Sequence, residues 1–129
     1  MKVAVAFWCE VARVMHDWQR VAEGELKAGE LRDRSVSAHA VALQAIGRVG
    51  CALLRERPDA WREALNGLGT LDWSRANKHW AGRAIVNGKV TKSAGSVVLT
   101  ANLIKEHLGL ELGIEDRLHE GSIEVAGEE

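Results

Sequence analysis

Asn87-Gly88 stands between two short runs, Ala84-Ile85-Val86 and Lys89-Val90-Thr91. An Asn-Gly pair readily takes the positive φ angles of a type I′ turn, so the chain is expected to double back here as a small β-hairpin. A lone two-stranded hairpin is marginal in water and needs a neighbour to pack on. The neighbour follows at once. Ser93, with Ser96 as the alternative, caps a helix that runs to Leu108. Val97, Val98, Ala101, Leu103, Ile104 and Leu108 are its apolar positions, and Gly109 stops it.

The remainder reads as helical scaffold. Phe7, Val11, Val14, Trp18 and Val21 repeat at spacings of four and three, which predicts one helix over residues 3–23, ended by Gly24. Residues 25–34 form a polar connection with a helical turn around Glu30–Arg32. Ser35 or Ser37 caps a second helix to about Arg57, with Val36, Ala40, Val41, Leu43, Ile46, Val49, Leu53 and Leu54 as its apolar positions. Gly47 and Gly50 lie inside it, and each costs about 1 kcal/mol in helix propensity relative to Ala. Close approach of a neighbour, Trp8 or Trp18, is the expected compensation. Pro58 suits the first turn of a third helix over 59–66, closed by Asn66-Gly67. The expected architecture is mainly α: a bundle of about four helices with one small β-hairpin. It forms a single domain over 1–112, with 113–129 as an acidic, partly disordered tail.

With 129 residues, 47% of them apolar, the chain is long enough for one core. Its net charge of −1 conceals an uneven distribution. Residues 1–71 carry ten Lys/Arg against nine Asp/Glu, 72–110 six against two, and 111–129 one against seven. A basic segment followed by an acidic one points to a polyanion partner, or to a tail that folds over the basic face. Cys9 and Cys51 lie in helical patterns among apolar residues, without CxxC or Cys/His ligand spacing. Buried free thiols in a cytoplasmic protein are expected. Glu10 and Arg13 interrupt the apolar start, which excludes a signal peptide. No run of about 18 apolar residues exists to span a membrane.

Catalytic patterns fail in turn. His16, His39, His79, His107 and His119 form no HxxxH or HExxH, and no GxSxG is present. Gly82–Lys89 superficially resembles a phosphate loop, but five residues separate its glycines instead of four. Val90 also stands where Ser/Thr should hold Mg²⁺. No enzyme activity, cofactor or metal is expected. What survives is electrostatic: Lys89, Thr91, Lys92, Ser93 and Ser96 surround a hairpin exit and a helix N-terminus, where free N–H groups and cations favour phosphate. Arg83 precedes the hairpin, Arg75 and Lys78 flank it, and Lys105 lies on the following helix. These seven, Arg75, Lys78, Arg83, Lys89, Lys92, Ser93 and Lys105, are the candidate DNA-phosphate contacts. Trp73 and Trp80 either stack on bases or form the loop's own small core, the commoner role of such pairs.

Three blocks, FWCEV, ELRDRSVSAHAVALQAIGRVGCALL and LDWSRANKHWAGRAIVNGKVTKSAGSVVLTANLIKEHLGL, resemble the C-terminal half of the DndB-type, DGQHR-domain proteins associated with DNA sulfur modification. The resemblance covers about residues 7–112 with the block order kept. Arg75, Trp80, Arg83, Lys92, Ser93, Asn102 and Lys105 match the family pattern, whereas Ser37 replaces the first His of a VHAH-like motif and leaves only His39. The resemblance implies a DNA-binding transcriptional regulator of phosphorothioate modification genes, not the sulfur-transfer enzyme. The naming DGQHR motif is absent, and the first helical pattern starts without a cap. A fragment or truncated gene product is therefore expected, docking on an N-terminal DGQHR-like domain or on a second copy of itself.

Overall fold

The computed structural model describes residues 2–91 and 93–127, with side chains over 4–91 and 93–121. Seven α-helices and one hairpin make up the described chain: α1 (Lys2–Val14), α2 (His16–Ala22), α3 (Ala28–Arg34), α4 (Ala40–Glu56), α5 (Trp61–Leu65), β1 (Ile85–Val86), β2 (Lys89–Val90), α6 (Ala94–His107) and α7 (Ile114–Gly127). The class is mainly α with a small antiparallel hairpin, as the sequence predicts, but the helices are more numerous and shorter.

The expected first helix breaks at Met15, whose backbone leaves the helical region (φ −87°, ψ 84°) while its side chain stays buried. Gln19 makes the break stable. Its amide donates to the carbonyls of Ala12 (3.0 Å) and Arg13 (2.7 Å), acceptors that an interrupted helix leaves free. The second predicted helix is also divided. Ser35 accepts from the Ser37 N–H and caps a 3₁₀ turn over Val36–Ala38, after which extended His39 opens α4.

α4 and α6 form the centre of the bundle. Val41, Ala45, Ile46, Val49 and Leu53 of α4 share one core with Ala101 and Ile104 of α6 and with Leu108 just past its end, and Phe7, Val11 and Val14 of α1 close another side. Gly50 permits the α1 contact, since a Cβ there would lie 2.5 Å from the Phe7 ring. Gly47 is looser, its Cβ position 3.8 Å from Trp8. So Phe7 occupies the notch, with Trp8 beside it. Cys9 and Cys51 correct the expected burial: both are exposed, because α1 and α4 turn those positions outward.

The hairpin has the expected register, Ile85 opposite Val90 and Val86 opposite Lys89, with Asn87 (φ 52°) and Gly88 (φ 78°) in the turn. Trp73 and Trp80 are stacked, with ring centroids 5.3 Å apart, and both are buried. Their indole N–H groups donate to Leu68 O and Asp72 O. They form the small core of the 72–80 loop, and no ring face is free for a base. That loop is pinned to the α3–α4 junction by Val36 N–H to Trp73 O and Arg75 N–H to Arg34 O.

The segment expected as a frayed acidic tail contains α7, which packs against α6. No helix among the described residues is long and apolar enough to cross a membrane.

Candidate nucleic-acid interface

Six of the seven candidate cations and caps lie within the described residues, and they divide into outward and inward groups. Lys78 is exposed on a 3₁₀ turn (Lys78–Trp80) that Asn77 caps through its side-chain oxygen. Lys89 is exposed on β2. Arg75 is half-buried and donates through Nη2 to Gly88 O at 3.1 Å, which ties the 72–80 loop to the hairpin turn. Lys89 follows that turn directly, so Arg75 and Lys89 share one end of the hairpin. Ser93 caps α6 by accepting from Ser96 N–H at 3.2 Å. Lys92 lies outside the described residues. Lys78 and Lys89 form no ion pair among the described residues.

Arg83 and Lys105 correct the sequence reading, because both point inward and are already paired. Arg83 grips the Glu120 carboxylate with two N–H donors, at 2.6 and 2.7 Å, and also donates to Leu99 O at 2.9 Å. Such two-pronged guanidinium–carboxylate contacts are the strong, directional kind. Lys105 Nζ lies 2.7 Å from Asp116 Oδ2, and both side chains are over nine-tenths buried. Neither cation is free to meet an outside phosphate while α7 is docked.

Three further residues complete this inner cluster. Arg48 of α4 donates to Asp116 Oδ1 at 3.0 Å. Asn102 of α6 donates to Asp116 O (2.9 Å) and Glu120 Oε2 (3.0 Å). Gly113 N–H donates to Asp116 Oδ2 at 3.2 Å. Burial alone would raise the Asp116 pKa. The hydrogen bonds from Lys105, Arg48 and Gly113 outweigh it and hold the carboxyl at about 2. Glu120 follows the same balance: burial pushes its pKa up, and Arg83 and Asn102 bring it below the ordinary range. Both carboxylates are therefore charged at neutral pH.

Sequence reasoning missed Arg48, Asp116 and Glu120 as partners. One signal was available: Asp116 and Glu120 are four apart, and Asn102 and Lys105 three apart, so each pair faces one way on its helix. Which cation meets which carboxylate, across 11 to 68 residues, is set only by packing.

Comparison with curated proteins and with solved structures gives no match. Residues 1–111, which include every outward and inward cation described above but stop short of α7, match the family model described as DNA-sulfur modification-associated. The chain belongs to the DndB family.

Proposed function

We propose that the chain is a non-catalytic, cytoplasmic DNA-binding module that serves regulation of DNA phosphorothioate modification. It would hold the phosphate backbone through the hairpin end of the molecule. The observation that carries this reading is the pair of exposed lysines, Lys78 and Lys89, without an ion pair among the described residues, at the loop and hairpin that Arg75 fastens together. Membership of a DNA-sulfur modification-associated family supplies the nucleic-acid context. Lys92 and the Ser93-capped start of α6 extend the surface in sequence, adding N–H groups and a positive dipole end.

Each lysine that neutralises a phosphate contributes about 0.9 to the slope of log K against log salt. A Lys78→Glu/Lys89→Glu double variant is expected to weaken binding of a DNA duplex and flatten that slope by about two. Fluorescence anisotropy across a salt series measures both. Unchanged affinity and slope would remove the hairpin end as the binding surface.

A second reading is favoured by a different observation. Trp8 is 38% and Leu43 46% exposed, and Val5 is also exposed. Val5 and Trp8 are one turn apart on α1, Leu43 and Gly47 one turn apart on α4, and Trp8 lies against Gly47. They form an outward apolar strip suited to an N-terminal DGQHR-like domain or a second copy. Light scattering tests the self-association branch: a concentration-dependent dimer lost in Trp8→Glu supports it, and a monomer at all concentrations rejects it.

A further inference from the structure

The cluster beneath α7 has the composition of an oxyanion site. Arg48, Arg83 and Lys105 bring three positive charges, and Asn102 adds an amide donor. Only two carboxylates answer them, so the cluster keeps one net positive charge with α7 docked. Its polar groups are also incompletely satisfied. Arg48 Nε, a donor, is buried without a hydrogen-bond partner among the described residues, whereas the unpartnered Asn102 Oδ1 is an acceptor that an anion does not satisfy. Buried polar groups are rarely left so unless another occupant or arrangement completes them.

Access points the same way. A recess of about 330 Å³ beside α7 has Arg48, Arg55, Lys105, Glu115 and Asp116 as its charged lining, so solvent ions reach the edge of the cluster. Arg48, Arg83, Asn102 and Lys105 all lie within the residues that match the family model, while Asp116 and Glu120 lie beyond them. Both carboxylates sit on a helix of which Ile114 and Leu118 remain largely exposed. The side-chain contacts described between α7 and this cluster are ion pairs and hydrogen bonds, attractions that a competing anion can replace.

We propose that α7 is an intramolecular stand-in for nucleic acid: Asp116 and Glu120 occupy a phosphodiester site formed by Arg48, Arg83, Asn102 and Lys105, and DNA displaces them. This rests on the DNA-binding reading and extends it. The docked state binds weakly through the hairpin lysines. The released state adds up to three cations and holds the backbone more tightly.

The test uses the full chain and a DNA duplex, read by anisotropy across a salt series. Asp116→Asn/Glu120→Gln removes the competing charge. It is expected to bind more tightly than the unaltered chain and to steepen the slope of log K against log salt by up to about three, at about 0.9 per cation gained. Because that variant leaves Lys105 and Arg83 without counter-charges, a second arm pins the cover, with the unlinked chain capped at both thiols by N-ethylmaleimide to match the linker's bulk in the recess. Ile114→Cys, in a Cys9→Ser background, is joined to the native Cys51 by a short bis-maleimide, since residues 114 and 51 line the same recess. The linked chain is expected to bind more weakly, and with a shallower slope, than the same chain unlinked.

Equal affinity and slope for linked and unlinked chains overturn the proposal even if the charge-neutral variant fails to fold. If all forms bind alike and Lys78→Glu/Lys89→Glu alone weakens them, the hairpin reading stands and the displacement falls. If no form binds, both fall. Binding by the charge-neutral variant alone supports the displacement and rejects the hairpin lysines as sufficient.

Discussion

Gly47 and Gly50 occupy one helix within three residues of each other, yet the structure assigns them opposite responses to the same substitution. In Gly50→Ala the new methyl group lies 2.5 Å from Phe7 Cζ and 2.9 Å from both Cε atoms. The ring has little room to retreat. It is 4% exposed, with Trp8 edge-on at 5.3 Å and Trp61 tilted against it at 6.1 Å. Overpacking of a filled core costs about 1–3 kcal/mol, and the gain in helix propensity returns about 1 kcal/mol. The net expectation is a loss of up to about 2 kcal/mol, or a Tm lower by up to roughly 8 °C in a chain of this size. In Gly47→Ala the methyl group meets Trp8 at 3.8 Å, an ordinary contact, so the propensity gain stands and stability rises by up to about 1 kcal/mol. Urea and thermal unfolding, followed by circular dichroism, measure both variants. Adding Phe7→Leu should recover part of the Gly50→Ala loss and none of any Gly47→Ala change. Equal effects at the two glycines, or a stabilising Gly50→Ala, would refute the close approach of α1 to α4.

Acid should loosen the α7 side of the molecule first. The folded-state pKa of Asp116 is depressed from 3.8 to about 2, so its contribution is present above about pH 4 and is lost as pH falls toward 2. The shift corresponds to about 2 kcal/mol at neutral pH, and Glu120 acts in the same direction. Asp116→Asn is expected to lower urea-unfolding stability at pH 7 and to flatten the decline between pH 4 and 2. An unaltered pH profile in that variant would disprove the assignment. Lys105→Met leaves Asp116 buried with only Arg48 and the Gly113 N–H, and should cost about 3 kcal/mol. Replacing both partners, Lys105→Met with Asp116→Leu, should cost less than the single change, which thermal melts of the two variants will show.

The parts legible in the sequence were those set by neighbours in the chain. Asn87-Gly88 dictated a turn from its own backbone preference, and Ser93 capped α6 through a bond to a residue three positions on. The break at Met15 was not legible, because the side chain that stabilises it, Gln19, lies on the far side of the break in a pattern that continues at helical period. Cys9 and Cys51 misled for a related reason. Apolar neighbours in sequence made them look buried, but the faces that pack are set by Phe7 and Gly50, next to which each cysteine points elsewhere. The summed charge of the acidic segment left two readings open, a solvated tail or one folded over the basic face. A run of carboxylates looks like a solvated tail until the positions of its cations in space are known.

The difference between charge along the chain and charge in space bears directly on function. A count of cations along the chain treats Lys78, Lys89, Arg83 and Lys105 alike, although the first two are exposed and the last two are already bound to carboxylates. A phosphate can be met at once by the exposed pair. At the inner pair it must first replace an existing ion pair, so its attraction is offset by the loss of Asp116 or Glu120. The two groups therefore contribute to different quantities. Lys78 and Lys89 bear on encounter and the salt sensitivity of the docked state, as exposed charges do. Arg83 and Lys105 bear on the free-energy gap between docked and released α7. A single Arg83→Ala variant would mix the two effects, because it weakens the cover and the site together. Changing the carboxylate separates them, which is why Glu120, and not Arg83, is the informative residue to alter.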